Sequence, residues 1–137
     1  MKKSFVYLIG AAALTLISCN QGTQQMKLND LEYFEKTGAN VLVYSNIYNG
    51  GFCDEKLAGL EIIQRGERIA TGGGVRFMNT PEQWDIYATM TDRTVNPADE
   101  SIEVSLSYED YGFDYKLRVF PKGKGTIVQV LLDKPVP

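Results

Sequence analysis

Two stretches in the second half of the chain constrain the fold more than any other feature. Ile102, Val104, Leu106 and Tyr108 alternate with Glu103, Ser105 and Ser107; Phe113, Tyr115, Leu117 and Val119 alternate with Asp114, Lys116 and Arg118. A period of two puts successive side chains on opposite faces of an extended chain. Each stretch is therefore a strand with one apolar and one polar face, as antiparallel sheets need to cover a core. Glu109 to Gly112 makes the turn between them, and Lys122-Gly123-Lys124-Gly125 makes the next. The strand that follows, Thr126 to Leu132, is apolar on both faces (Ile127, Val128, Val130, Leu131, Leu132), which predicts a central position in its sheet.

The upstream sequence reads the same way. Val41, Val43, Ser45 and Ile47 fall on one side of a strand and Leu42 and Tyr44 on the other, until Asn49-Gly50-Gly51 breaks it. Leu60 to Gln64 and Arg68 to Thr71 flank Arg65-Gly66-Glu67 as a hairpin. Gly72-Gly73-Gly74 interrupts the chain before a short strand from Val75 to Met78. No stretch has helical periodicity; Thr80-Pro81-Glu82-Gln83 has the order of a capping box but room for a single turn. Repeated short strands with glycine-rich turns imply an all-β fold: an antiparallel, Ig-like β-sandwich over residues 31–137, possible also as an incomplete one.

The N-terminus has a different character. Lys2 and Lys3 precede an apolar run from Phe5 to Leu16. About a dozen residues fall short of the roughly 20 that span a bilayer as a helix, so the run has the length of a signal peptide's apolar core. It ends at Leu16-Ile17-Ser18-Cys19, which resembles the lipobox of bacterial lipoproteins. That resemblance implies a signal peptide over 1–18 and acylation of Cys19, and so a lipid anchor in a membrane. No Asp follows Cys19, which favours the outer membrane; its periplasmic and cell-surface sides are both compatible with the sequence. Residues 19–30, polar from Gln21 to Gln25, are expected to form a flexible tether.

Composition excludes several function classes. Loss of Lys2 and Lys3 with the signal takes the formal charge from −3 to −5, and the remaining Lys and Arg are scattered among acids, so no nucleic-acid surface is expected. There is no His, hence no imidazole base or metal ligand. With Cys19 acylated, Cys53 has no disulfide partner in the chain and reads as a small buried hydrophobe. Asp54-Glu55, Asp99-Glu100 and Glu109-Asp110 are adjacent pairs near turns; on a strand, neighbours point to opposite faces, so they do not form an acid–base pair. Gly123-Lys124 lacks the Ser or Thr of a phosphate loop. Asp92, Asn96 and Asp99 offer oxygen ligands without a calcium-loop spacing and read as a polar loop. Neither a catalytic set nor a cofactor or metal is expected. Trp84, Tyr87 and Tyr111 are the aromatic residues available to stack on a sugar face.

A wider resemblance lies in Phe52 to Ile63 (FCDEKLAGLEII), Gly66 to Ala70, Val75-Arg76-Phe77, Thr80 to Asp85, Phe113 to Lys116 and Val130 to Pro135. These segments resemble the N-terminal region of Bacteroidetes glycoside hydrolases, cellulase-like enzymes of family nine, in which β-sandwich material precedes a helical (α/α)6 barrel. The catalytic Asp and Glu of such enzymes lie on the barrel, and nothing here aligns with it. The family's His near Gln64 and Arg65 is also missing. The resemblance thus implies a non-catalytic N-terminal module, a fragment of a longer chain, whose partner is the missing C-terminal catalytic domain and whose setting is polysaccharide degradation. The alternative is an autonomous envelope lipoprotein that binds glycan or another protein.

Overall fold

The computed structural model describes residues 25–50, 53–57, 59–72, 74–75 and 88–133. It is an all-β sandwich of two antiparallel sheets. The first contains β1 (Lys27–Leu28), β2 (Phe34–Lys36), β3 (Ala39–Val43), β6 (Leu60–Gln64) and β7 (Glu67–Gly72), in that spatial order. Between β3 and β6 the chain makes a separate hairpin, β4 (Ile47–Gly50) with β5 (Cys53–Leu57). The second sheet contains β8 (Thr89–Asn96), β9 (Ser101–Tyr108), β10 (Phe113–Lys122) and β11 (Gly125–Leu131), ordered β11-β10-β9-β8. The likeness to an immunoglobulin sandwich lies in these two layers; the connections run hairpin by hairpin, one meander per sheet.

The alternating strands form one wall of the core. Ile102, Val104, Leu106, Tyr108, Tyr115, Leu117 and Val119 are all buried and meet Met26, Phe34, Val41 and Val43 from the other sheet. Turn chemistry fixes the registers. Arg65 and Gly66 both have positive φ, as the two-residue type I′ turn of the β6–β7 hairpin requires, and Gly123 (φ 60) opens the β10–β11 turn. At Gly59 an added Cβ would lie 2.2 Å from the Gly72 carbonyl oxygen, so only glycine lets the chain pass there.

Four expectations need correction. The folded domain begins before residue 31: Met26 is buried in the core, its N–H donates to the Gly123 carbonyl, and β1 pairs with β2, so the far end of the expected tether is part of a sheet. The strand beginning at Val41 stops at Val43, because Tyr44 adopts φ 49 and turns its ring into the core, and Ile47 starts a new strand paired with Leu57. The polar loop expected around Asp92 is the eight-residue strand β8. Finally, β11 is an edge strand, paired with β10 alone.

Candidate functional site

The edge position of β11 creates the most distinctive surface among the described residues. Its register with β10 (Leu117 with Val130, Val119 with Val128) puts both valines on the core-facing side of the sheet. Yet Val128 is 42% and Val130 49% exposed, while Leu117 and Val119 are fully buried. The first sheet covers β10 and leaves β11 overhanging. On the opposite face Leu131 is 38% exposed, and Leu132, just beyond the strand, is 37% exposed. The result is an apolar ribbon beside a free strand edge, with no charged residue from Gly125 to Leu132.

The other edges of the two large sheets are blocked. Strand β1 has only two residues; β7 carries a register shift and the charges Glu67 and Arg68. Strand β8 carries a register shift at Thr91 and points Arg93 inward. Short length, bulges and inward charge are the usual means of keeping sheet edges from pairing. Strand β11 has none of them.

The end of the sandwich at the β9–β10 turn is built from tyrosines. Tyr108 and Tyr115 stack with ring centroids 6.3 Å apart. The Tyr108 hydroxyl donates to the Val75 carbonyl, and the Val75 N–H donates to the Tyr115 hydroxyl at 3.1 Å. Tyr44 brings a third ring, whose hydroxyl lies 3.2 Å from the position of a Cβ on Gly74. Burial, with a further contribution from Tyr115 and Tyr108, pushes the Tyr44 phenol up to about 12. Burial likewise raises Tyr115. Tyr108 and Tyr115 thus clamp the backbone at Val75 through hydrogen bonds, with the Tyr44 ring packed beside them.

Tyr111 stands on the short 3-10 turn Glu109–Tyr111, 47% exposed, edge-on to Tyr108 at 6.4 Å. The turn ends at Gly112 in the left-handed conformation. Tyr111 is thus about half exposed at this end of the sandwich. Trp84, Tyr87 and the acylation site Cys19 lie outside the described residues. Among the described residues no group of three His, Cys, Asp or Glu could hold a metal ion. The oxygens of the calcium candidates are used locally: Asp92 accepts from the Thr94 hydroxyl, Asn96 from the Ala98 N–H, and Asp99 from Ser101 and Arg118. Those bonds, led by the one from Ser101, hold the Asp99 carboxyl below the usual carboxylate range.

The first sheet also buries a charge. Glu61 on β6 is fully buried on the sheet face opposite Val41 and Val43. Its carboxylate accepts from Asn46 Nδ2 at 2.6 Å and from Arg68 Nη1 at 3.1 Å. Glu61 lies between two apolar neighbours in sequence, Leu60 and Ile62, and nothing in that local pattern marks it as buried. A carboxylate tied in this way to an arginine and an asparagine amide has the form of a structural ion pair. No protein-family model matches the chain, and no match is found among curated proteins or solved structures.

Proposed function

We propose that this chain is a non-catalytic, lipid-anchored β-sandwich module of the bacterial outer membrane. Its task is to hold a polysaccharide-degrading catalytic domain at the membrane by packing against it. The observation that carries the reading is β11: a long, uncharged, unprotected edge whose core-facing Val128 and Val130 are exposed. Such an edge fits a neighbouring domain that completes the apolar layer and covers the free N–H and C=O groups. The signal and lipobox order of residues 1–19 supplies the anchor, and the resemblance of the sequence to glycoside-hydrolase N-terminal regions supplies the class of partner.

The test uses the purified mature protein. Binding of a hydrophobic dye, abolished when Val128 and Val130 are both replaced by Lys, is the expected result. Unchanged dye binding in the double variant would remove β11 from the proposal. Release of reducing sugar from polysaccharide by the isolated protein would overturn the non-catalytic reading.

A second reading rests on Tyr111. Its exposed ring at the sandwich end fits an autonomous glycan-binding lipoprotein, with Trp84 and Tyr87 as further stacking residues. Glycan affinity lost in Tyr111→Ala but kept in Val128→Lys would favour it.

A further inference from the structure

The chain enters the sandwich at a defined place. Met26 donates its N–H to the carbonyl of Gly123, at 2.9 Å, in the β10–β11 turn. Met26 stands only seven positions after Cys19. Even fully extended, those seven steps reach about 25 Å. An acyl anchor on Cys19 therefore keeps this end of the sandwich close to the bilayer.

The same end is where the basic residues collect. Lys27 follows the entry point in β1; Lys122 and Lys124 flank Gly123 in the turn itself; all three are exposed. Lys36, at the end of β2, donates from Nζ to the Lys124 carbonyl at 2.6 Å, which brings its charge to the same turn. Arg65 continues the row: it opens the neighbouring β6–β7 turn and its N–H donates to the Gly38 carbonyl beside Lys36. Acids are present here too. Glu35 sits opposite Lys27, Glu67 follows the Arg65 turn, and Asp99 and Glu100 occupy the β8–β9 turn, Asp99 already bonded to Arg118. The opposite end of the second sheet is acidic: Glu109 and Asp110 on the 3-10 turn, Asp114 at the start of β10 and Asp133 after β11 are all exposed. A mature chain of net negative charge has thus placed four of its seven lysines, Lys27, Lys36, Lys122 and Lys124, at the end that the tether draws toward the membrane.

We infer that the lysine-bearing end around Gly123 is a membrane-facing surface. It contacts the phosphate groups of anionic lipids and stands the module upright, with Tyr111 and the acidic end directed away from the bilayer. The inference rests on the lipoprotein reading. Lysines close to an anionic leaflet each contribute about fivefold to surface association, equivalent to about 1 kcal/mol, and the effect fades within a Debye length of roughly 8 Å at physiological salt. An acidic end facing the same leaflet would be repelled, so the charge polarity selects one orientation.

The test uses the lipidated protein, purified from envelopes and reconstituted into vesicles of phosphatidylcholine alone or with phosphatidylglycerol. A membrane-impermeant amine-reactive ester labels the exposed lysines, and peptide mass spectrometry reads each site along with the acylation of Cys19. The expected result is that labelling of Lys27, Lys122 and Lys124 falls about fivefold in phosphatidylglycerol vesicles and recovers in high salt. Lys116, in the middle of β10, should not change. The Lys122→Gln/Lys124→Gln double variant should lose the lipid-dependent protection of Lys27 while keeping its acylation. An acylated Cys19 with equal labelling in both vesicles overturns the orientation alone. A Cys19 without acyl chains overturns the anchor, and the orientation with it.

Discussion

Arg93 of β8 reaches across the sandwich to Glu32: Nη1 donates to the Glu32 carboxylate at 2.6 Å and Nη2 to its backbone carbonyl at 3.0 Å. Its Nε donates to the Val43 carbonyl at 2.9 Å, so one guanidinium ties an edge strand of the second sheet to two segments of the first. The side chain is only 16% exposed, whereas that of Glu32 is 55% exposed. Most of the stabilisation is therefore in the bonds to the two carbonyls rather than in the ion pair. Arg93→Ala is expected to cost about 2–3 kcal/mol and lower Tm by roughly 10 °C, with Glu32→Gln costing under about 1 kcal/mol. Arg93→Lys should recover less than half, because an ammonium cannot present the fork of donors. Thermal unfolding of the three variants by circular dichroism gives the order; equal losses for Arg93→Ala and Glu32→Gln would assign the effect to the charge pair.

The β11 surface makes the opposite kind of prediction, a change in association without a change in stability. Val128 and Val130 are about half exposed, so replacing either by Lys removes little buried area, and the cost should stay within about 0.5 kcal/mol. Self-association at high concentration should fall, since lysine on a strand edge opposes pairing. Sedimentation velocity compared with the melting temperature separates the two effects. A loss of several degrees in Tm would show the valines to be core residues in solution.

How much of this was legible depended on local periodicity. Strands β9 and β10 pair with β9 buried on one face and β10 beside it, so burial prints a clean alternation, and every alternate apolar residue from Ile102 to Tyr108 and from Tyr115 to Val119 is buried. Strand β8 hid because a register shift between Met90 and Asp92 puts Met90 and Arg93, three residues apart, on the same face. The expected period was broken, and one of the inward residues is charged. Strand β11 was misplaced for a different reason. Apolar residues on both faces mark a strand that needs cover on both sides, whether its neighbours in the sheet provide it or another molecule does; local sequence does not distinguish the two. Of the three aromatic candidates the structure places Tyr111, and neither the tyrosine clamp at Gly74–Val75 nor the burial of Glu61 has a sequence signature.

The buried Tyr44 phenol beside the clamp sets the response to alkali. The Tyr44 phenol is raised from the ordinary value of 10.0 to about 12 by burial in the folded state. A raised folded-state pKa means stability that is intact below the unfolded value and is lost as pH climbs through the folded one. The fold should accordingly weaken between pH about 10 and about 12, and Tyr44→Phe should flatten that decline while leaving Tm at neutral pH nearly unchanged. Urea midpoints measured from pH 8 to 12 for both proteins check it. Parallel declines would place the titrating group elsewhere.

Glu61 gives the sharpest test of the packing. A carboxylate with no accessible surface depends on its partners, and removing one leaves an uncompensated charge in an enclosed place. Arg68 is 45% exposed at its side chain, which screens the pair and lowers its worth below that of a fully buried one. Arg68→Ala should then cost about 1–2 kcal/mol in the native background but well under 1 kcal/mol once Glu61→Gln has removed the charge that needs the arginine. Asn46→Ala, which deletes the 2.6 Å bond to the other carboxylate oxygen, should behave in the same way. The double-mutant cycle by urea denaturation reads the coupling directly. Additive costs for Glu61→Gln and Arg68→Ala would mean that the carboxylate does not depend on the arginine, which adds only its packing.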